Sequence, residues 1–144
     1  MTQTHSVLIN DSGFFAETWP HGFTDNPREI AGENGAALDL MPDIDLSGLI
    51  PRLTSLGLIR VRFSSFADGR GFTTARQLRL LGYTGRLRAH GPLIADQYAM
   101  ARRAGFDEVE IPADLALRQP ESDWLTRADW QSNDHQARLR APAA

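Results

Sequence analysis

Three short segments in the middle of the chain alternate apolar and charged residues with a period of two. In a β-strand successive side chains point to opposite faces, so this alternation predicts three strands with one covered, apolar face and one charged face. The apolar positions are Ile59, Val61 and Phe63, then Leu87 and Ala89, then Val109 and Ile111. The charged positions are Arg60 and Arg62, then Arg86 and Arg88, then Glu108 and Glu110.

Helical spacing separates these strands. One predicted helix covers 73–81, and a second covers 92–104, where Pro is a favourable first residue and apolar positions follow one side. A third predicted helix covers 48–56 and is capped by Asp45 or Ser47. Each ends in a Gly followed by a large apolar residue, a pattern typical of a helix stop because Gly tolerates positive φ. These pairs are Gly57-Leu58, Gly82-Tyr83 and Gly105-Phe106.

The order of these elements predicts the α/β class. Strand, helix, strand, helix and strand with connections this short indicate parallel strands joined by right-handed crossovers. We therefore expect a small parallel sheet built from short strand-helix repeats, with the helices mainly on one face. Residues 1 to about 40 are expected to form an irregular N-terminal arm that adds edge strands at 7–9 and 36–40.

The length of 144 residues predicts a single α/β domain over 1–130, with its core at 45–112 and a frayed C-terminal tail at 131–144. A last helix before the tail contains Trp124, which we expect to pack into the core. The sequence shows neither a leader pattern nor an apolar run long enough for a membrane span. These features predict a cytoplasmic protein that does not bind a membrane.

The composition removes several kinds of chemistry. The chain has 0 Cys, which excludes disulfides, thiolate metal sites, cysteine-bound iron-sulfur clusters and thiol catalysis. Its 4 His are too scattered to predict a metal site. Gly69-x-Gly71 lies between a strand and a helix, as in a dinucleotide fingerprint, but the third Gly and the later acidic residue are missing. The sequence therefore has no metal, iron-sulfur or nucleotide motif of its own, and any cofactor is unknown.

The net charge of -3 hides an uneven distribution. All 15 basic residues are Arg, and nine of them fall within residues 58–106, where two acidic residues occur. This asymmetry predicts a basic middle that is covered by the chain's own acidic flanks or is offered to an anion or an acidic partner. The negative net charge and the lack of a recognisable signature argue against nucleic-acid binding.

The loop after the first predicted strand is one candidate site, since parallel sheets place ligands beyond the carboxyl ends of their strands. Two Gly permit a tight turn, and Arg side chains add positive charge at a helix N-terminus, which suits a small anion. The candidate anion site consists of Asp68, Gly69, Arg70, Gly71, Arg76 and His90. In the alternative, Asp68 pairs with Arg70 or Arg76 and orders the loop.

The charged face of the sheet is a second candidate site, for a protein partner. It consists of Arg60, Arg62, Arg86 and Arg88. The glutamates of the third strand can neutralise the two arginines of the middle strand laterally. The two arginines of the first strand need other partners, and an acidic protein surface is the external candidate. The internal candidates are Asp39, Asp43 and Asp45.

The same middle region carries a combination of short motifs. They are Asp68-Gly69-Arg70-Gly71-Phe72, Ala75-Arg76, Leu78-Arg79, Gly82-Tyr83-x-Gly85, Arg88-Ala89-x-Gly91, Asp96-Gln97 and Gly105-Phe106-Asp107. In this combination, from about Leu58 to Ile111, the sequence resembles the bacterial domain-of-unknown-function 934 family. It departs from the family at Ala104, where many members have Cys, and at Pro92, where many have an acidic residue. A thiol role in the family therefore cannot apply to this chain.

The resemblance implies a pathway rather than a mechanism. Members of the family are considered oxidoreductases of sulfite reduction because they are encoded beside the haem-containing sulfite reductase and other sulfate-assimilation enzymes. We therefore expect an accessory or oxidoreductase-associated protein of assimilatory sulfite reduction, with sulfite reductase or another sulfate-assimilation enzyme as its partner. Two alternatives stay open: a small enzyme that acts on an anionic metabolite, and a structural module for protein interaction. No residue is assigned a catalytic role.

Overall fold

The computed structural model describes residues 6–19, 22–26 and 36–131, which form six strands, four α-helices and two 3₁₀ helices. The strands are β1 (Ser6–Asn10), β2 (Gly13–Phe15), β3 (Ala36–Leu40), β4 (Leu56–Arg62), β5 (Arg86–His90) and β6 (Glu108–Pro112). The α-helices are α1 (Arg70–Leu80), α2 (Tyr98–Ala104), α3 (Ala113–Arg118) and α4 (Glu121–Thr126). The 3₁₀ helices cover Leu46–Ser55 and Ala95–Gln97.

All six strands join one sheet in the order β2-β1-β6-β5-β4-β3. β3, β4, β5 and β6 are parallel, which confirms the predicted parallel arrangement. β1 pairs antiparallel with β6, with Val7 opposite Ile111, and β2 forms a hairpin with β1. The N-terminal arm therefore adds strands at both sides of the sheet. β3 is an edge strand, as the sequence predicts at 36–40, whereas the predicted strand at 7–9 lies inside the sheet as part of β1, and β2 forms that edge.

The four parallel strands follow one another across the sheet in the same order as along the chain. Right-handed crossovers then place the connecting helices on one face. The strand side chains on this face form the core, and Ile59, Val61, Leu87 and Ile111 are each 0% exposed. Because the order of the described parallel strands never reverses, they do not open the crevice that a doubly wound sheet forms at its switch point.

The helices begin at different residues from those predicted. α1 begins before the predicted start at 73, because Asp68 orders the preceding turn and accepts the Arg70 N–H at 3.2 Å. The second helix begins later than predicted, because Ile94 is extended and the chain first turns through the 3₁₀ helix Ala95–Gln97. The Gln97 side chain accepts the Ile94 N–H at 3.1 Å and stabilises that start.

Two of the three predicted glycine stops are confirmed. Gly82 and Gly105 have φ angles of 101° and 118°, which side chains other than Gly rarely adopt, and each follows the end of a helix. The prediction was wrong at Gly57, which lies inside β4. The 3₁₀ helix before β4 ends at Ser55, and Leu56 is already extended, so the strand begins before the glycine.

The C-terminal helices pack around a buried tryptophan. Trp124 of α4 is 1% exposed, which confirms that it belongs to the core. Its Nε1 donates to Gln119 O at 2.9 Å, and its ring meets Tyr98 edge-on with centroids 6.1 Å apart. Residues 132–144 of the predicted tail lie outside the described residues. Within the described part of the chain, no helix is long and apolar enough to span a membrane.

Candidate functional site

The carboxyl ends of β4, β5 and β6 meet at one edge of the sheet, because these strands are parallel. Backbone hydrogen bonds continue between them beyond the regular strands. The Phe63 N–H donates to His90 O at 2.7 Å, and the Gly91 N–H donates to Glu110 O at 3.0 Å. The turn between β4 and α1 therefore starts from a fixed point at the edge where the sequence predicts a ligand site.

Asp68 organises that turn. Its Oδ2 accepts from Ser64 Oγ at 2.9 Å, and its Oδ1 accepts from the Arg70 backbone N–H at 3.2 Å. The Arg70 guanidinium binds the same carboxylate, with Nε–Oδ1 and Nη2–Oδ2 distances of 3.0 Å. These bonds from Arg70 hold the pKa of Asp68 well below its usual range. Asp68 thus occupies the guanidinium and the helix amide that a bound anion would use, as in the ion-pair alternative.

The remaining residues of the predicted anion loop contact their own chain or solvent. Arg76 is exposed on α1 and forms no ion pair with the residues that the structure describes. Gly71 is needed for packing, because a Cβ at this position would lie 2.4 Å from Phe63 Cζ. Gly69 precedes the first residue of α1, and a Cβ there would have no neighbour within 4 Å.

Phe66 lies in the same turn, and 58% of it is exposed. Gln97 Nε2 donates to Phe66 O at 2.6 Å, and Ser65 Oγ accepts the Ala67 N–H at 3.2 Å, so the backbone is fixed on both sides of the ring. A pocket of about 370 Å³ opens beside it. Its lining residues are Phe66, Pro92, Ile94, Pro112, Asp114, Leu115, Arg118 and Gln119. This edge therefore presents a partly apolar pocket and an aromatic ring on a rigid support.

The face of the sheet opposite the helices carries buried and half-buried charged side chains, which we call the polar layer. Its members are Asp39 of β3, Arg60 of β4, Arg86 and Arg88 of β5, and Glu108 and Glu110 of β6. Arg88 is 0% exposed, Glu108 is 5% exposed and Glu110 is 6% exposed. A buried charge is destabilising unless it is paired and hydrogen-bonded, so the partners of each member decide whether the layer is stable.

The glutamates of β6 neutralise the arginines of β5, as the sequence predicts. Arg86 Nη2 lies 2.8 Å from Glu108 Oε2, and Arg88 Nε lies 2.6 Å from the same oxygen. Arg88 Nη1 also lies 3.0 Å from Glu110 Oε1. In the polar layer β5 and β6 are therefore joined by short, charge-assisted hydrogen bonds.

Arg60 pairs with Asp39, one of the three internal candidates that the sequence offers. Its Nε and Nη2 donate to the two oxygens of Asp39 at 2.8 Å and 2.6 Å, and its Nη1 donates to Glu110 at 3.0 Å. Internal pairing thus engages Arg60, Arg86 and Arg88. Arg62 is the one exposed member of the predicted partner interface, and it lines a small polar pocket of about 130 Å³ with Asp39.

Residues 13–19 and 22–26, which we call the covering segment, complete the polar layer from the solvent side. Glu17 forms a bidentate pair with Arg88, with Oε2–Nη1 and Oε1–Nη2 distances of 2.7 Å and 3.0 Å. The Phe23 ring covers Arg60, whose Cζ lies 3.9 Å from the ring centroid. The chain's own arm therefore occupies the surface that the sequence assigns to a protein partner.

His90 lies on the polar face, because it is two residues after Arg88 in β5. Its Nε2 is 3.6 Å from Glu110 Oε2, and its buried Nδ1 has no hydrogen-bond partner among the described residues. Burial lowers the pKa of His90, and Glu110 acts in the opposite direction. The structure does not bring His90 together with the Asp68 turn, because its side chain emerges on the charged face of the sheet.

Sequence reasoning missed three residues of these two sites. Phe66 carried a signal, since a large aromatic residue stands in an otherwise small and polar turn. Glu17 and Phe23 carried none, because they lie in an irregular segment with no periodicity. Only the folded chain shows that they contact Arg88 and Arg60.

Comparison with known families gives one finding. The family model described as "Bacterial protein of unknown function (DUF934)" matches residues 37–142. The match extends on both sides of Leu58–Ile111, the region that carries the motifs. No curated protein and no solved structure matches the chain.

Proposed function

The chain belongs to the bacterial DUF934 family of proteins of unknown function, and on this premise we propose that it is an accessory protein of assimilatory sulfite reduction. Its partner in this proposal is sulfite reductase or another sulfate-assimilation enzyme, as the motif resemblance implies. It acts beside the oxidoreductase in the cytoplasm and docks through the carboxyl edge of its sheet. The observation that supports this docking mode is the exposed Phe66 ring on its rigid turn.

An aromatic side chain held in this way suits recognition. A ring that is already fixed loses little conformational entropy when a partner covers it, so more of the contact energy remains for binding. Aromatic residues are also enriched among the few interface residues that dominate affinity. The hydrogen bonds of Asp68 and Gln97 therefore hold the Phe66 backbone in place before the partner binds.

The neighbouring pocket fits a partner's apolar side chain. Ile94 and Leu115 supply apolar walls, and Asp114 and Arg118 lie in exposed positions of the lining. This arrangement of an apolar centre and a charged rim is usual in protein interfaces. The Gln119 side chain accepts the Ala95 N–H at 2.9 Å, so the pocket wall is also fixed.

The alternative of an enzyme acting on an anionic metabolite meets a physical obstacle at the Asp68 turn. An incoming anion would have to displace the Asp68 carboxylate, which binds the Arg70 guanidinium at two points and also orders the turn through the Ser64 hydroxyl and the Arg70 N–H, so the displacement would disrupt the turn itself. Docking needs no such displacement. We therefore rank the docking role first.

The proposal is tested by affinity purification of the tagged full chain from its native cell. We expect sulfite reductase or another sulfate-assimilation enzyme to co-purify with the wild type. Phe66→Ala should reduce that recovery at least about tenfold, which corresponds to loss of an interface residue contributing more than about 1.4 kcal/mol. Because Phe66 is exposed, the variant should keep the wild-type melting temperature.

Leu80→Ala is the matched control. Leu80 is 87% exposed and ends α1, at the opposite edge of the sheet, so its truncation also removes an exposed apolar side chain but leaves the proposed docking edge intact. Equal recovery with Phe66→Ala and Leu80→Ala would contradict docking at the carboxyl edge. If the wild type recovers no sulfate-assimilation enzyme, the proposed pathway is wrong.

A further inference from the structure

Glu17 differs from every other carboxylate that binds the polar layer. Asp39, Glu108 and Glu110 belong to strands, whereas Glu17 comes from the covering segment. Its two oxygens face Nη1 and Nη2 of Arg88 at 2.7 Å and 3.0 Å. This two-point geometry is the one in which a guanidinium binds a free carboxylate or another oxyanion.

The polar layer is already balanced in charge without Glu17. Its three arginines face three strand carboxylates, and each arginine pairs with at least one of them. Glu17 adds a fourth negative charge. Its side chain is 42% exposed although that of Arg88 is 0% exposed, so Glu17 lies at the boundary between the layer and solvent. The strand carboxylates therefore suffice to neutralise the three arginines. Glu17 accepts additional hydrogen bonds from Nη1 and Nη2 of Arg88.

Polar contacts hold the covering segment to the sheet on both sides of Glu17. Thr18 Oγ1 accepts from Arg86 Nη1 at 3.3 Å, which is a long hydrogen bond, and the Trp19 N–H donates to Glu17 itself at 2.8 Å. Ala16, Glu17 and Thr18 are all exposed. Residues 16–18 therefore bury little apolar surface, and moving these three residues aside would expose little of it to water.

We propose that Arg88, with Arg86 beside it, is an oxyanion-binding site that Glu17 occupies as an internal ligand. The external ligand is a carboxylate or sulfate-like oxyanion that displaces Glu17 and takes its place on the Arg88 guanidinium. Its source is a free small anion or the acidic side chain of a protein partner, which offer the same chemistry. The site lies on the polar face and is independent of the docking edge at Phe66.

Removal of the internal ligand is the first test. Glu17→Ala leaves the space of the missing acetate group, so acetate or sulfate should bind the variant and raise its melting temperature. At a hundred times the dissociation constant the expected rise is roughly 5 °C or more, relative to chloride at equal ionic strength.

Glu121→Ala is the matched control, since Glu121 also holds the arm, through the Phe14 N–H at 2.8 Å, but does not contact Arg88. If acetate and sulfate raise the melting temperature of Glu17→Ala no more than that of Glu121→Ala, the site does not exist.

A measurement on the wild type keeps the test valid if Glu17→Ala does not fold. It also distinguishes a free small anion from the acidic side chain of a protein partner as the source of the ligand. The Trp19 amide reports on the segment, because its N–H donates to Glu17 Oε1. In ¹H–¹⁵N spectra we expect this resonance to shift on addition of sulfate if the ligand is a free anion. It should shift only with a capped Ala-Glu-Thr peptide if the ligand is a partner's side chain. No shift with either ligand would overturn the proposed displacement.

Discussion

The two faces of the parallel strands are buried to a similar degree by opposite chemistry. On the helix face, Ile59 and Leu87 are 0% exposed and contact other apolar side chains. On the polar face, Arg88 is equally buried, and Glu110 is 6% exposed. Alternating residues of one strand thus belong to an apolar core and to an ionic layer.

The two faces contribute to the fold in different ways. The helix face gains free energy in proportion to the apolar area that it removes from water. The polar face gains little net stability, because desolvation of charges offsets their attraction, but it makes pairing selective. A one-residue slip of β5 would bring Arg88 into the apolar core and place Leu87 among the charged side chains of the polar layer. We therefore infer that the helix face holds the sheet together and the polar face fixes its register.

Arg88→Met should have the largest effect on the polar face. The substitution keeps an unbranched apolar side chain but removes the guanidinium between Glu108 and Glu110. Two buried carboxylates would lose their central partner, so we expect the free energy of unfolding at pH 7 to fall by about 3 to 5 kcal/mol. Urea denaturation followed by circular dichroism measures the loss. An unchanged midpoint would show that Arg88 does not hold the polar layer.

Leu87→Ala is the matched change on the helix face, one residue away. Leu87 is 0% exposed, so truncation leaves a cavity and should cost about 2 to 4 kcal/mol. The pH dependence separates the two variants. Between pH 7 and pH 4 the loss caused by Arg88→Met should shrink, because the stranded carboxylates can take up protons, whereas the loss caused by Leu87→Ala should stay constant. An identical pH response would contradict the division of roles.

The direction in which wild-type stability changes with pH follows from the pKa shifts of its carboxylates. Burial alone would raise the pKa of Glu110, but His90, Ser6 and Arg60 favour its ionised form, and the net pKa is lowered. Hydrogen bonds from Arg88 lower the pKa of Glu17. Both groups have an ordinary pKa of 4.5, so their contribution to stability is complete above that pH and is lost as the pH falls through their lowered values in the folded protein.

His90→Gln, at the border of the polar layer, should have the smallest effect on stability. Burial lowers the pKa of His90 below its ordinary value of 6.5, so the unfolded chain takes up a proton first as the pH falls. Wild-type stability should therefore decline from about pH 7 downward through the lowered folded pKa, and His90→Gln should flatten that part of the profile. Melting temperatures measured from pH 7.5 to 5.0 check this. A wild-type decline that persists unchanged in the variant would assign it to other groups.

The sequence predicts the sheet better than it predicts the sites. Alternation at Ile59 and Arg60 is a local property of a strand, so it specifies the faces without knowledge of the neighbours. The pairing of Arg60 with Asp39 depends on the register between β3 and β4, and sequence could only name Asp39 among three candidates. The same alternation places His90 on the charged face, a signal that was available.

The contact of Glu17 and the exposure of Phe66 could not be predicted from the periodicity of apolar residues. Glu17 lies in an irregular segment, and its contact with Arg88 spans 71 residues of sequence. The exposure of Phe66 depends on how the turn folds around Asp68, since an aromatic residue in a loop packs inward in many proteins. Such long-range or conformational facts arise from the tertiary structure and have no local pattern.

The pairing of β1 with β6 has a consequence for the order of events during synthesis. β1 emerges from the ribosome early, but its partner β6 is made near the end of the described chain, and the contact between Phe14 and Glu121 joins positions 107 residues apart. Until β6 exists, the β1–β2 hairpin has no strand through which it can join the parallel strands, and the covering segment cannot lie over a finished polar layer. Contacts of such long separation form late because the intervening chain must first be ordered. The growing chain therefore completes its arginine-bearing face last, and in that interval the face is open to other molecules in the cell.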